Sequence, residues 1–266
     1  MSLSDGNDGG RDHKKSLKFA FSKAADHDRL VEFYKDNRHD TVHIRKPAVM
    51  RKAVDNGRFI VLTDDQNGVR AGSGAYDYPD DDHNYQRRWT ELGTTTANMP
   101  GYGLYPYIIA AQVIMDFIGR TPSESFVATI DHDNYSVIDL LKNKVGWKEF
   151  SPSEELKKEI KNTKDWSTEN PVVWLRATPE ALPHQARLVL ELIDKTELVN
   201  KKTGEKVKLD LSDFPLANEM RSYVEALADG KLAKAFEENP HITMNTARAY
   251  LAKHMNGQVH YPRPRF

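Results

Sequence analysis

Cysteine is missing from all 266 residues, which excludes disulfides, thiolate-bound metal and a cysteine nucleophile. An excess of one charge is missing too. Lys and Arg number 38 against 39 Asp and Glu, a formal net charge of -1 at pH 7, so nothing in the overall balance draws the chain to nucleic acid or to an anionic bilayer. Long apolar runs are absent: the longest, Tyr107 to Ile118, is interrupted by Gln112 and Asp116 and is too short to span a membrane. Residues 1–15 are rich in Gly, Asp and Ser, lack the apolar stretch of a targeting signal, and read as a mobile tail. These absences lead to the expectation of a soluble, cytoplasmic protein with no membrane partner.

What is present suffices for a core, since 39% of residues are hydrophobic and 29% charged. Leu17, Phe19 and Phe21 alternate with polar residues, the period of a half-buried strand. Leu30, Val31, Phe33 and Tyr34 follow at helical spacing, and Pro47 opens a second helix that Gly57 closes. Two strand-like runs, 58–63 and 69–76, flank Asn67-Gly68, a strong hairpin signal because both residues tolerate positive φ. An acidic loop is expected over Asp77 to Asp82, then a strand to Thr96, an apolar helix to Gly119, a strand at 125–131 and a helix from Asn134 to about Lys144. Ser153 heads a charged helix, and Val172 to Leu175 read as the last strand of this unit.

A boundary is placed near Thr178-Pro179. Beyond it the spacing predicts a helix at 181–193, a hairpin about Lys202-Thr203-Gly204, and further helices, one containing Leu216, Met220 and Leu227. No internal repeat recurs at a fixed period. The element order of residues 16–178 predicts an α/β (α+β) fold with a mixed central sheet and helices on both faces, and 179–266 a mainly helical extension.

The most informative stretch runs from Glu91 to Leu104. A strand enters Gly101-Tyr102-Gly103, and a long apolar helix starts at once. The first amides of such a helix have no internal partners and its dipole places partial positive charge there, while glycines let backbone approach an anion without Cβ interference. A pyrophosphate fits this turn without any lysine, although Pro106 removes one donor.

These residues resemble the GNAT (general N-acetyltransferase) superfamily. Its phosphate-binding motif, Gln or Arg, two residues, Gly, one residue, then Gly or Ala, has its counterpart in Asn98-Met99-Pro100-Gly101-Tyr102-Gly103, with Asn in first place. Its second motif, an Asn, a helix and then Gly with an aromatic residue, has its counterpart in Asn134 to Leu141 and Gly146-Trp147. The resemblance covers residues 16–178. It implies an acyl-CoA-dependent N-acyltransferase whose donor, acetyl-CoA or another acyl-CoA, enters between two splayed strands. Thr94, Thr95 and Thr96 would hold the pantetheine arm, Asn98, Gly101, Tyr102, Gly103 and Leu104 the pyrophosphate, and Asn134 the pantetheine from the other side. No metal is implied.

Transfer to an amine calls for a neutral nucleophile and a proton for the leaving thiolate. Glu91, on the strand before the turn, is the candidate base, with Asp131, His132 and Asp133 as alternatives. The family's tyrosine acid, seven residues after the motif asparagine, falls here on Leu141. Tyr135 is the candidate substitute, beside Tyr102 and Tyr105. The polar segment Arg38 to His43 is expected to form one wall for a small amine or amino-acid-like acceptor.

Two other readings keep the fold: an acyl-CoA-binding protein without catalysis, and an autoinducer-synthase-like enzyme with a different donor. The C-terminal segments 232–236 and 243–251 have the spacing of a helix-turn-helix but few cations, so a helical cap or homodimer element is preferred to a nucleic-acid reader.

Overall fold

The computed structural model describes residues 16–37, 44–78, 89–119, 123, 125–164, 171–239 and 241–255. The N-terminal tail, the Arg38 to His43 segment and Asp80 to Asp82 lie outside the described residues.

β1 (Ser16–Phe21) buries Leu17, Phe19 and Phe21 on one face, as its alternation requires. α1 (His27–Asp36) and α2 (Pro47–Asp55) follow, and Gly57 leaves α2 with φ 62°. β2 (Phe59–Asp64) and β3 (Val69–Tyr78) form the expected hairpin, with Asn67 at φ 61°. Then come β4 (Trp89–Ala97), α3 (Tyr105–Gly119), β5 (Ser125–Asp131) and α4 (Tyr135–Lys144). β6 (Lys148–Glu149), α5 (Glu154–Thr163) and β7 (Val172–Ala177) complete the first unit. The Ser153 hydroxyl caps α5 by accepting from Leu156 N.

The strands form one mixed sheet in the order β6-β7-β5-β4-β3-β2-β1-β9-β8. Its two faces carry separate cores. Ile60 and Leu62 of β2 point into a cluster with α3, while Phe59 and Val61 point into one with Leu30, Val54 and Leu156 of α1, α2 and α5. Helices thus cover both faces, the arrangement that the element order implies.

The stretch after residue 178 is built onto this sheet. It contributes α6 (Leu182–Ile193), β8 (Glu197–Val199), β9 (Lys206–Asp210), α7 (Arg221–Ala228), α8 (Gly230–Glu237) and α9 (Met244–His254). β9 pairs in parallel with β1, and the apolar cluster on that face runs without a break from Leu17 to Leu251.

Two expectations need correction. Asp77 is not part of a solvated loop; it lies within β3, next to its last residue, and pairs with the buried Arg58, which also binds Asp116 of α3. Leu216, Met220 and Leu227 do not share a helix. A 3-10 turn at Pro215–Ala217 precedes α7, because the Asn218 side-chain amide donates back to the carbonyls of Leu211, Ser212 and Phe214. Among the described residues no helix is long and apolar enough to cross a membrane.

Candidate active site

β4 and β5 run parallel and pair at Trp89 with Ser125, Thr90 with Phe126 and Glu91 with Val127, and then part. Both strands continue, to Ala97 and Asp131. The divergence has a local cause. Between Gly72 and Gly74 the β3–β4 register takes up an extra residue on β4, and Thr94 sits at φ 53°. That is a strained conformation for a β-branched residue, and a bulge of this kind bends the strand that carries it. Tyr34 and Tyr76 hold it in place. The Tyr34 hydroxyl donates to Thr94 O at 2.5 Å, and Tyr76 Oη and Thr94 Oγ1 lie 2.8 Å apart. β5 meanwhile is tied along its length to β7, from Phe126 to Asp131, and does not follow β4.

The wedge between the strands is a cleft, with Leu92 to Thr95 on one wall, Thr129 and Ile130 on the other, and Tyr105, Asn134 and Val137 at the helix ends. Beyond Glu91 and Val127 the facing edges of β4 and β5 do not pair with each other, which leaves room between them for an extended segment. The Tyr105 hydroxyl bonds Thr95, and burial raises its pKa despite that bond.

At one end the cleft reaches Tyr105, the first residue of α3, and the glycine turn immediately precedes that helix. Gly101 and Gly103 have φ 95° and 64°, and Leu104 O accepts the first helical bond of α3, from Ile108 N at 3.1 Å. The Tyr105 and Tyr107 amides of the first turn precede that bond and lack an intrahelical acceptor. The loop between β8 and β9 braces this turn. Lys201 N donates to Gly101 O at 3.0 Å, and the Asn200 side chain donates to Pro100 O at 3.0 Å. Asn200 Oδ1 accepts from Lys202 N and Thr203 N, and it lies 2.5 Å from where a Cβ on Gly101 would be. Only glycine fits there. Lys201 Nζ is 3.8 Å from the equivalent point on Gly103.

The other end is made of buried charge. Arg45 Nη2 lies 2.5 Å from Glu91 Oε2, with both side chains 1% exposed. Tyr78 Oη and Thr129 Oγ1 also donate to Glu91, at 3.2 and 3.0 Å. Burial pushes the Glu91 carboxyl up, but Arg45, then Lys164 and the Thr129 hydrogen bond, outweigh it and hold the pKa below the usual carboxylate value. The Arg45 guanidinium stacks 4.9 Å from the centre of the Tyr76 ring and stays charged: burial works against its charge, and Glu91 together with Tyr78 and Tyr76 outweighs that.

The sequence-predicted residues are distributed unevenly. Glu91, Thr94, Thr95 and Asn134 line the cleft. Thr96 lies further along β4, opposite Gly72. Gly101 and Gly103 form the turn, while Tyr102 and Leu104 are buried beneath it. Asn98 is exposed beside a hollow of about 480 Å³ bordered by Asp64, Asp65, Glu205 and Arg70, where the carboxylates outnumber the cation that pairs with Asp64 and disfavour phosphate. Tyr135 is 67% exposed and rests edge-on against His132, and it is not among the residues lining the cleft. Asp131 is buried at the end of β5, and Leu141 lies in the apolar core. Arg45, Thr129, Lys164, Asn200 and Lys201 were not legible in advance. No local pattern marks a lone Arg before a helix or a lysine in a hairpin loop as part of a site assembled from distant segments.

No family model matches the chain, and no curated protein matches it. Solved structures that resemble it include a ribosomal-protein-alanine N-acetyltransferase from Brucella melitensis, at 15% identity and TM-score 0.43 over 60% of this chain and 98% of that one. A GNAT superfamily phosphinothricin acetyltransferase from Sinorhizobium meliloti, in complex with AcCoA, matches at 14% identity and TM-score 0.43 over 61% and 88%. The diaminobutyrate acetyltransferase EctA from Paenibacillus lautus, in complex with L-2,4-diaminobutyric acid and coenzyme A, matches at 9% identity and TM-score 0.43 over 61% and 94%. In fold, the chain is similar to GNAT-superfamily acetyltransferases.

Proposed function

We propose that the protein transfers an acyl group, in the simplest case acetyl, from acyl-CoA to the amine of a small or amino-acid-like acceptor in the cytoplasm. The observation that carries this reading is the parting of β4 and β5 after Glu91 and Val127 into a cleft that reaches the start of α3. A pantetheine arm fits the open edge of β4 at Thr94 to Thr96 as an added strand, with Asn134 opposite. The diphosphate fits the Gly101 to Leu104 turn, where the first amides of α3 and the Lys201 ammonium converge.

The residues divide the chemistry as follows. Tyr105, which lines the cleft and bonds Thr95, serves as proton donor to the leaving thiolate, in preference to the exposed Tyr135. In this reading Glu91 takes the acceptor's proton through water. Its lowered pKa gives it little proton affinity, so the amine must reach the site largely neutral. That costs about 1.4 kcal/mol at neutral pH for an amine with a pKa near 8 and roughly 4.6 kcal/mol for a lysine-like amine. The acceptor is therefore an α-amine or another amine of low basicity.

Thermal-shift and calorimetric titration with acetyl-CoA test the donor site, because a ligand bound only by the native state raises its stability. No binding would end the assignment. A second reading, acyl-CoA binding without turnover, draws on the Arg45–Glu91 pair at the acceptor end and on the apolar Leu141. Binding of acetyl-CoA with no CoA release across a panel of α-amines would decide for it.

A further inference from the structure

Lys164 is a primary amine that the chemistry above does not use. Main-chain contacts fix its backbone at the acceptor end of the cleft: Lys46 N donates to Thr163 O at 2.9 Å, and Arg45 and Lys164 form an antiparallel bridge. Its Nζ donates to Thr129 Oγ1 at 3.3 Å, and that hydroxyl donates to Glu91 Oε1 at 3.0 Å. Glu91 Oε1 is in turn 3.9 Å from where a Cβ on Gly93 would stand. Gly93, Glu91 and Thr129 all line the cleft. Two hydrogen bonds therefore link the amine to side chains that line the cleft; Lys164 itself stands one residue behind that lining, and its flexible four-carbon stem must carry Nζ past Thr129 to enter it.

The charged groups that face Lys164 are Glu91 and Asp131, which favour the ammonium, and Arg45, which opposes it. Burial opposes it most strongly, and the balance lowers the pKa. The Glu91 carboxylate is already engaged by Arg45 at 2.5 Å. Each unit of lowering multiplies the neutral, nucleophilic fraction about tenfold below the pKa.

Resting on the reading of the cleft as an acyl-CoA site, we propose that Lys164 is itself acylated there, so that the chain carries an internal acceptor at the end of its donor cleft. The amide C–N bond forms as the thioester C–S bond breaks. CoA leaves as the thiolate, and the proton lost from the Lys164 nitrogen passes to it through solvent. An amide is not an acyl donor in turn, so the reaction stops at one acyl group per chain. The product replaces a cation beside Glu91 and Arg45 with a neutral amide.

The test uses the full chain, radiolabelled acetyl-CoA at mildly alkaline pH, and peptide mapping by mass spectrometry, with acetyl-CoA binding measured in parallel by calorimetry. Label is expected on Lys164, saturating with acetyl-CoA and forming faster than on the exposed Lys142, Lys157 and Lys206. Acetyl phosphate, which has no CoA moiety, should label the exposed lysines without this preference. Gly103→Glu, which closes the donor site, should remove the Lys164 label and leave that on the exposed lysines. Lys164→Arg is the control for peptide assignment. Bound acetyl-CoA with Lys164 unlabelled, or labelled no faster than the exposed lysines, overturns self-acylation and leaves the donor site standing. Absence of binding overturns the reading of the cleft itself.

Discussion

Toward the start of α3 the candidate site is built from main chain: a bulged strand beside the cleft, then two glycines with positive φ just ahead of the first amides of α3. At the opposite end, the side chains of Arg45, Glu91 and Thr129 wall it, with Lys164 behind Thr129, drawn from four separate segments and joined by ion pair and hydrogen bonds. The two ends fail differently. A backbone site is indifferent to most side-chain changes but is closed by any bulk placed where a glycine was. A buried ionic site depends on partners in pairs, because removal of one leaves the other charged and desolvated.

The sharpest break of the comparison is Glu91→Gln. It strands the buried Arg45 guanidinium, and we expect a loss of about 3–5 kcal/mol in urea unfolding, with most of it recovered by adding Arg45→Met. The sign of the pH effect follows from the lowered pKa of Glu91. Its contribution is present above the unfolded-state value and is lost as pH falls through the folded-state value, so acid should narrow the gap between wild type and variant. A variant within 1 kcal/mol of wild type would show that the pair is not a structural unit.

At the backbone end, Gly103→Glu should weaken acetyl-CoA binding by about a hundredfold, roughly 2.7 kcal/mol, by placing a carboxylate where phosphate is expected. Unchanged affinity in calorimetry would move the diphosphate elsewhere. Lys201→Ala should cost about tenfold or less for acetyl-CoA and nothing for S-acetylpantetheine, which lacks the diphosphate. Equal losses with both donors would make Lys201 a brace of the turn only. The smallest effect is expected from Asn98→Ala, about twofold at most, because the side chain faces the acidic hollow. A large loss would return the family motif's first position to the phosphate site.

Much of the frame was legible in the residues. Alternation in 16–21, Asn67 in its turn and the glycines at 101 and 103 each announce a local backbone preference, and each stands where its preference directs. Asn134 reached the cleft because a helix start after a strand end is also a local event. Tyr135, one residue on, turned outward, since adjacent helical positions point some hundred degrees apart. Arg45 and Lys164 carried no signal at all. Each is an ordinary cation in its own neighbourhood and becomes part of a site only when α2 and α5 pack on the same face of the sheet.

The sequence by itself determined most of the elements, their order and the glycine turn ahead of α3, because φ preferences and apolar periodicity act within a few residues. Only the tertiary structure decided that β4 and β5 would part and that Glu91 would be buried against Arg45. It also decided that the loop after β8 would seat Asn200 and Lys201 on the glycine turn. Strand register and burial are settled between segments remote in the chain, where no local preference of either partner specifies the other.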